Sequence, residues 1–404
     1  MSSPSRFGAS APSAEPYPAP RQGSLVYYSL LMVTFLAASS APTPLYQLYQ
    51  ASWGFSTTWL TLVFASYIFA LLASLLMTGS LSDHLGRRPV VAAAILGEIV
   101  ALGLFVTADD LAWLLAARIV QGVATGVATS ALAAALLDSD PTRGPLMASI
   151  APLSGMGVGA LLAGVLVTYL PAPMQGVYLL LLVLLMMLGV WLLRIPEGVT
   201  PRPGALASLR PHASIPSPVR KPLLRVAPAV VASWALGGFS LSLGPTLVET
   251  ISHCQSPLIG SLITFLLPFV GGISVMVLRS RPSRLAVLLG TACIVVGMLG
   301  LLLGVALTRI DILLGGTAVA GIGFGAAFMG ALRIVMPLAP PTERSALMAA
   351  FYVICYLSAS LLALIGGIAT QHVGLLPTTY VYGSGVALLS LIAFVATLSQ
   401  RQAI

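Results

Sequence analysis

Along the chain, long stretches with hardly a polar side chain alternate with short connections where prolines, glycines and most of the charges collect. The long stretches are apolar on every side: "VYLLLLVLLMMLGVWLL", residues 177–193, shows no two-residue alternation of the kind a membrane barrel strand needs. A helix requires roughly 20 apolar residues to cross the hydrocarbon of a bilayer, and stretches of that length recur throughout. The pattern predicts twelve spanning helices, over 25–47, 58–80, 90–108, 111–137, 146–170, 176–194, 226–250, 257–278, 285–307, 312–336, 346–368 and 378–399. The expected fold class is all-α and integral to a membrane.

The one long interruption, residues 195–224, is rich in Pro and Arg and lacks helical periodicity, so it reads as a central loop between a bundle over 25–194 and another over 225–404. Residues 1–24, rich in Pro, Ser and Ala without the apolar core of a cleavable signal, read as a disordered cytoplasmic tail. The two halves echo each other. "VQGVATGVAT" at 120–129 returns as "VAGIGFGAAF" at 319–328 with glycines at each fourth step, and "PTRGPLMAS" at 141–149 as "PTERSALMAA" at 341–350. Two pseudo-symmetric six-helix bundles, with a substrate held between them near the bilayer midplane, are a common transporter architecture.

Composition agrees: 58% of residues are hydrophobic and 7% charged, far from the quarter that soluble domains carry. Placing the N-terminus inside leaves only Arg309 among the basic connections on the outer side, so both termini are expected in the cytoplasm. The net charge of +8 then faces the anionic lipid bilayer, and the absence of a basic patch interleaved with aromatics argues against nucleic acid. The Leu, Ala, Gly and Arg bias with a single Lys points to a GC-rich genome and an inner-membrane location. Cys254, Cys293 and Cys355 imply no disulfide framework, and His253 beside Cys254 is too little for a metal site, so neither metal nor cofactor is expected.

"GSLSDHLGRRP", Gly79 to Pro89, packs Asp83, His84, Arg87 and Arg88 into one turn between spans two and three. Gly79 is expected to let helices approach, and Gly86 to permit the reversal. A positive-inside anchor needs neither the Asp nor the glycines. The stretch resembles the signature loop of the major facilitator superfamily, Gly-x-Leu-small-Asp-x-x-Gly-Arg-(Arg/Lys), in the position where that family has it. The resemblance, which extends to twelve-span drug/proton antiporters, implies that Asp83 and Arg87 belong to a cytoplasmic gating latch between the halves, with Asp138 and Arg143 as further members. His84 stands where the family often has Arg, which weakens one link.

"RIVQGVATG", Arg118 to Gly126, resembles the family's fourth-span motif. Arg118, Gln121, Thr125 and Thr129 recur at helical spacing, so a polar stripe runs down an apolar helix; an arginine about two turns inside the outer surface faces water or a partner, or snorkels to the interface. "GMGVGALLAG", Gly155 to Gly164, resembles the antiporter motif of span five, with Ala160 in place of its proline and Ala163 in place of a glycine. "RSRPSR" at 279–284 keeps the basic charges of the matching loop in the second half without its Asp or glycines.

Glu98 is the single acid near the middle of any predicted span, at a depth close to Arg118, and is a candidate proton carrier or a structural hydrogen-bonding group; Arg118 and Glu98 form the candidate coupling pair. Glu249 reads as a rim residue and Arg333 as a snorkelling one. In the resembled family the first and fourth spans of each half line the cavity. This implies substrate contacts for Gln121, Thr125, Trp234, Phe324 and Phe328, and Tyr352 and Tyr356 on span eleven join them as aromatic candidates, each weighed against plain packing. "APTPLYQLY" at 41–49 places two prolines near the outer end of span one, where broken helices form gates.

No Gly-x-x-x-x-Gly-Lys-Ser/Thr loop occurs and no predicted span holds His or Asp, so ATP-driven pumping and intramembrane catalysis are disfavoured and no enzyme is expected. The reading is a secondary active transporter, a monomer moving a small-molecule substrate against protons, most simply in efflux. A proton-coupled importer of a sugar, organic acid or amino acid, and a transport-silent sensor, stand as alternatives.

Overall fold

The computed structural model describes residues 22–210, 213–254, 256–340 and 343–399. They form sixteen helices: α1 (Gln22–Ser40), α2 (Tyr46–Trp53), α3 (Thr57–Thr78), α4 (Leu81–Leu85), α5 (Arg87–Val106), α6 (Leu111–Ser139), α7 (Gly144–Tyr169), α8 (Gly176–Leu192), α9 (Ala205–Ser208), α10 (Ser217–Ser242), α11 (Gly244–Ser252), α12 (Pro257–Leu278), α13 (Ser283–Ala306), α14 (Ile310–Val335), α15 (Arg344–Val373) and α16 (Leu375–Leu398). Eleven segments are long and apolar enough to cross a membrane. The twelfth predicted span is the apolar 17-residue α8, which at 1.5 Å per residue reaches about 26 Å. The predicted tail lies outside the described residues, apart from its last positions, which open α1.

Two corrections concern boundaries. Span one is three pieces, because Pro42 and Pro44 have no backbone N–H to continue the helix: α1 ends at Ser40, a short 3₁₀ turn covers Thr43–Leu45, and α2 resumes at Tyr46. Pro245, the second residue of α11, marks the matching break in the second half. The predicted central loop is also shorter than expected, since α10 starts at Ser217 with Pro218 in its first turn, where a missing N–H costs nothing.

The repeat read from the glycines is a packing repeat. On α6, a Cβ at Gly122 would stand 2.8 Å from that of Ala70 on α3, and one at Gly126 would stand 2.8 Å from that of Ser74. On α14, a Cβ at Gly321 would stand 2.9 Å from the Leu267 carbonyl of α12, and one at Gly325 would stand 2.6 Å from the Ser274 hydroxyl. In each half, therefore, span four meets span two through the same pair of small residues. A tighter seam joins α13 to α14. Gly290, Gly297 and Gly304 recur every seven residues on one helix, Gly316, Gly323 and Gly330 on the other, and each set faces the other helix's backbone.

The halves meet along α3 with α15 and along α7 with α12. At the end remote from the Asp83–Arg87 turn both seams are shut. Thr58 donates to Gln371, Thr61 lies against Gly367, and Ser261 lies against Gly164. The Thr43–Leu45 turn plugs the space beside α12. α1 is buried without a break from Thr34 onward, whereas its exposed positions, Gly23, Val26 and Leu30, lie toward the basic end. α10 repeats this: exposed Leu224 and Arg225 give way to half-exposed Val231 and Trp234, then to a buried run from Ala235 to Ser240. On both helices burial deepens from the basic end toward the far end, where the seams are shut.

Candidate functional site

The breaks and seams converge on a buried polar cluster in the first half. A helix leaves its last carbonyls without partners, and Pro42 removes the donor that would have served Ala38. Side chains from α6 fill the gap: Arg118 Nη1 donates to the Ser39 carbonyl at 2.8 Å, and Gln121 Nε2 to the Ala38 carbonyl at 3.1 Å. Restarting the helix at Tyr46 puts its hydroxyl against Arg118 Nε at 3.0 Å, with Nη2 also donating to it. Arg118 is 1% exposed and its guanidinium carbon lies 4.8 Å from the ring centre of Tyr67, so it faces partners and does not snorkel.

Glu98 on α5 is fully buried. Gln121 bridges it to the arginine, taking Arg118 Nη1 on Oε1 at 2.7 Å and giving Nε2 to Glu98 Oε1 at 2.9 Å. This amide orientation is the one that serves both neighbours, since guanidinium offers only donors and an ionised carboxylate only acceptors. Thr125 donates to Glu98 Oε2 at 3.5 Å. Gln121 and Thr125, expected to line a substrate cavity, are instead buried and hold Glu98.

The second half contributes an aromatic wall. Trp234 meets Phe328 at 5.7 Å and Tyr356 at 4.8 Å, both edge to face, and Tyr352 stacks on Tyr356 at 5.8 Å. Trp234 and Tyr356 also pack against the core of the first half, to which Tyr67 belongs. Tyr352 and Tyr356 are half-exposed, yet bilayer does not account for it: each lies nine residues, two and a half turns, from exposed Leu361 and Ile365, hence on the opposite side of α15. Phe324 does not share this wall. It is buried as packing between Gly237 and Gly271.

At the basic end Arg87 ties the turn together. It meets Asp83 at 2.6 Å and Asp138 at 2.8 Å, and Nη1 donates to Ser82 at 2.6 Å. These bonds stay within the first half and do not bridge to the second. Glu197, in the central segment, takes the backbone N–H of Arg87 at 3.0 Å and of Arg88 at 2.9 Å, so a remote residue caps α5. Gly86 has a φ of 95°, and a Cβ there would stand 2.8 Å from Glu197 Oε2, so only glycine fits. Gly79 is exposed in ordinary helical backbone and brings no second helix close. Arg88 bonds the Leu193 carbonyl at 3.3 Å, while Arg143 is exposed and takes part through its backbone. The N–H groups of Arg143 and Thr142 hold the Asp140 carboxyl below its usual 3.8. Arg333 bonds the Arg281 carbonyl at 3.2 Å, and Glu249 is half-buried on α11. Among the described residues no group of His, Cys, Asp and Glu forms a metal site.

Tyr46, Tyr67 and Glu197 escape the sequence reading. Pro42 and Pro44 were the available signal for the first, since the break they make lets the chain restart at Tyr46 with its hydroxyl placed to accept from Arg118. For Glu197 the expected result is clear: Glu197→Ala removes a helix cap worth about 1 kcal/mol and speeds amide exchange at Arg87 and Arg88 about five-fold. Hydrogen exchange unchanged at those two amides would contradict it.

Two related helical halves sealed at one end, with a buried charged cluster in one and an aromatic wall in the other, define a membrane transporter. A family profile described as Major Facilitator Superfamily matches residues 28–309, more than half of the chain, and the chain belongs to that family. No curated protein matches it. Among solved structures it resembles the nucleoside transporter NupG at a TM-score of 0.69 and 14% identity, covering 93% of this chain and 99% of that one. It also resembles a POT family transporter in complex with 5-aminolevulinic acid, at 0.74 and 12%, covering 94% and 96%.

Proposed function

We propose that the protein moves a small, uncharged organic molecule by alternating access and couples the movement to protons through Glu98, in the direction of efflux. The observation that carries this reading is the fully buried chain Glu98–Gln121–Arg118–Tyr46, which lies beside the seam and is built partly from the broken end of the first span. An ionised Glu98 balances Arg118; a protonated one leaves a single positive charge inside the protein and turns an acceptor of Gln121 into a group that also donates. Either change alters what holds the end of α1, so protonation has a direct mechanical consequence. The Thr125 hydroxyl, 3.5 Å from Glu98 Oε2, is the last polar group on the proton's path to the carboxyl.

The positive-inside rule supports a basic end in the cytoplasm, with both termini there and the open cavity accepting its substrate from that side. Arg87 and its acids then belong to the gate that closes in the opposite conformer. The test is proton flux in proteoliposomes holding an internal pH dye, with a panel of lipophilic drugs, sugars and amino acids. Ligand-triggered flux is expected in the wild type and is expected to vanish in Glu98→Gln. Undiminished flux in that variant would remove Glu98 from the mechanism; binding without flux in the wild type would point to a uniporter or sensor.

A further inference from the structure

We propose that the indole N–H of Trp234 is the recognition donor of the cavity and that its ligand is an uncharged planar ring bearing a hydrogen-bond acceptor. The proposal rests on the cavity reading above and adds the ligand's chemistry to it.

Trp234 Nε1 is buried and, like Gln47 Nε2, Ser240 Oγ, Thr370 Oγ1 and Ser390 Oγ, has no hydrogen-bond partner among the described residues; of these five it is the one set among aromatic rings. A buried donor left unpaired costs about 1–3 kcal/mol, so a fold keeps one where something else completes it. Around it stand ring edges and faces: Phe328 and Tyr356 edge-on to the indole, Phe351 at 5.8 Å from Phe328, and Tyr352 stacked on Tyr356. Such walls favour a flat π surface in offset or edge-to-face contact.

Charge narrows the class further. The second half places its charged residues near the helix ends, Arg220, Lys221 and Arg225 on α10, Asp311 and Arg333 on α14 and Arg344 on α15, so the middle of this wall is neutral. The two charges at similar depth in the first half, Arg118 and Glu98, already have partners and are enclosed. An ion entering here would meet no counter-charge, whereas a neutral ring with one acceptor meets a neutral donor and aromatic walls.

Specificity follows from the orphan donor. A site with a committed polar group rejects an isostere that lacks the matching one, because the group then stays buried and unpaired. Quinoline and naphthalene share shape and size, are both uncharged near neutral pH, and differ by a ring nitrogen that accepts a hydrogen bond. Titration calorimetry on the purified full chain in detergent, corrected with protein-free micelles, compares them without any proton gradient. The wild type is expected to bind quinoline at least ten-fold more tightly, and Trp234→Phe, which keeps a ring and removes the N–H, is expected to bind the two alike. Equal affinities in the wild type, absence of binding by both, or discrimination that persists in Trp234→Phe would overturn the proposal. The wild-type comparison stands even if the variant fails to fold. Glu98→Gln separates the two readings: discrimination retained there, with proton flux lost or never seen, leaves the donor assignment intact whatever becomes of proton coupling.

Discussion

Replacing Arg118 with alanine is expected to abolish transport and to destabilise the first half. The change strands the Tyr46 hydroxyl, the Ser39 carbonyl and Gln121 Oε1 in a dry interior and leaves Glu98 without its bridged counter-charge. Removing one member of a buried charged cluster costs about 3–5 kcal/mol, a large share of the stability of any domain. Lysine is not a substitute, because a point charge cannot serve partners on α1, α2 and α6 that a planar fork reaches together. Arg118→Met combined with Glu98→Gln removes both charges, and this double variant is expected to melt higher than Arg118→Met alone while remaining inactive. Thermal unfolding of purified protein and substrate flux in liposomes check the two halves of the prediction. Additive destabilisation by the two substitutions would show that Arg118 and Glu98 do not interact through Gln121.

The second large effect is expected at Gly297. Its Cβ would stand 2.6 Å from the Gly316 carbonyl, and α14 cannot retreat without pulling Gly323 from Ile294 and Gly330 from Val287. Overpacking a close-packed core costs about 1–3 kcal/mol when side chains absorb the strain; here backbone must move, so Gly297→Leu is expected to exceed that range. Loss of monodisperse protein on size exclusion, or a melting temperature many degrees lower, is the expected outcome. Gly315, on α14 with nothing within 4 Å of its Cβ position, serves as the control, and Gly315→Leu is expected to leave the protein intact. A stable, monodisperse Gly297→Leu would mean that the seam is not rigid.

Spanning helices were legible because hydrocarbon imposes one requirement, length without polarity, which any window of the chain reports. α12 begins and ends on the predicted residues, and most other spans agree to within a few. Turn chemistry was legible where it is local, as at Asp83, Gly86 and Arg87. What escaped depends on partners distant in the chain. Nothing around Glu197 announces that it caps a helix 110 residues earlier, and nothing in "RIVQGVATG" says that its Gln and Arg complete carbonyls left at the broken end of α1. For Gln121 and Thr125, helical spacing located the polar stripe correctly but not the helix it faces: it points at α5 and α1, where Glu98 and the broken span await it. Arg143 and Gly79 carried the right residue types in the right loops, yet local backbone conformation, not side-chain reach, decides their contacts.

The far-end closure has a property that the basic end lacks. The side chains that meet there across the seams, Thr58 with Gln371, Thr61 against Gly367 and Ser261 against Gly164, carry no charge. Dissolved salt screens ions and leaves such contacts alone, and none of these groups titrates near neutrality. The Arg87 ion pairs, with Asp83 and Asp138 roughly half-exposed, answer to salt. Dissolved salt therefore weakens the Arg87 ion pairs while leaving these seam contacts unchanged, and a shift in resting conformation with salt reports on the turn that holds Arg87.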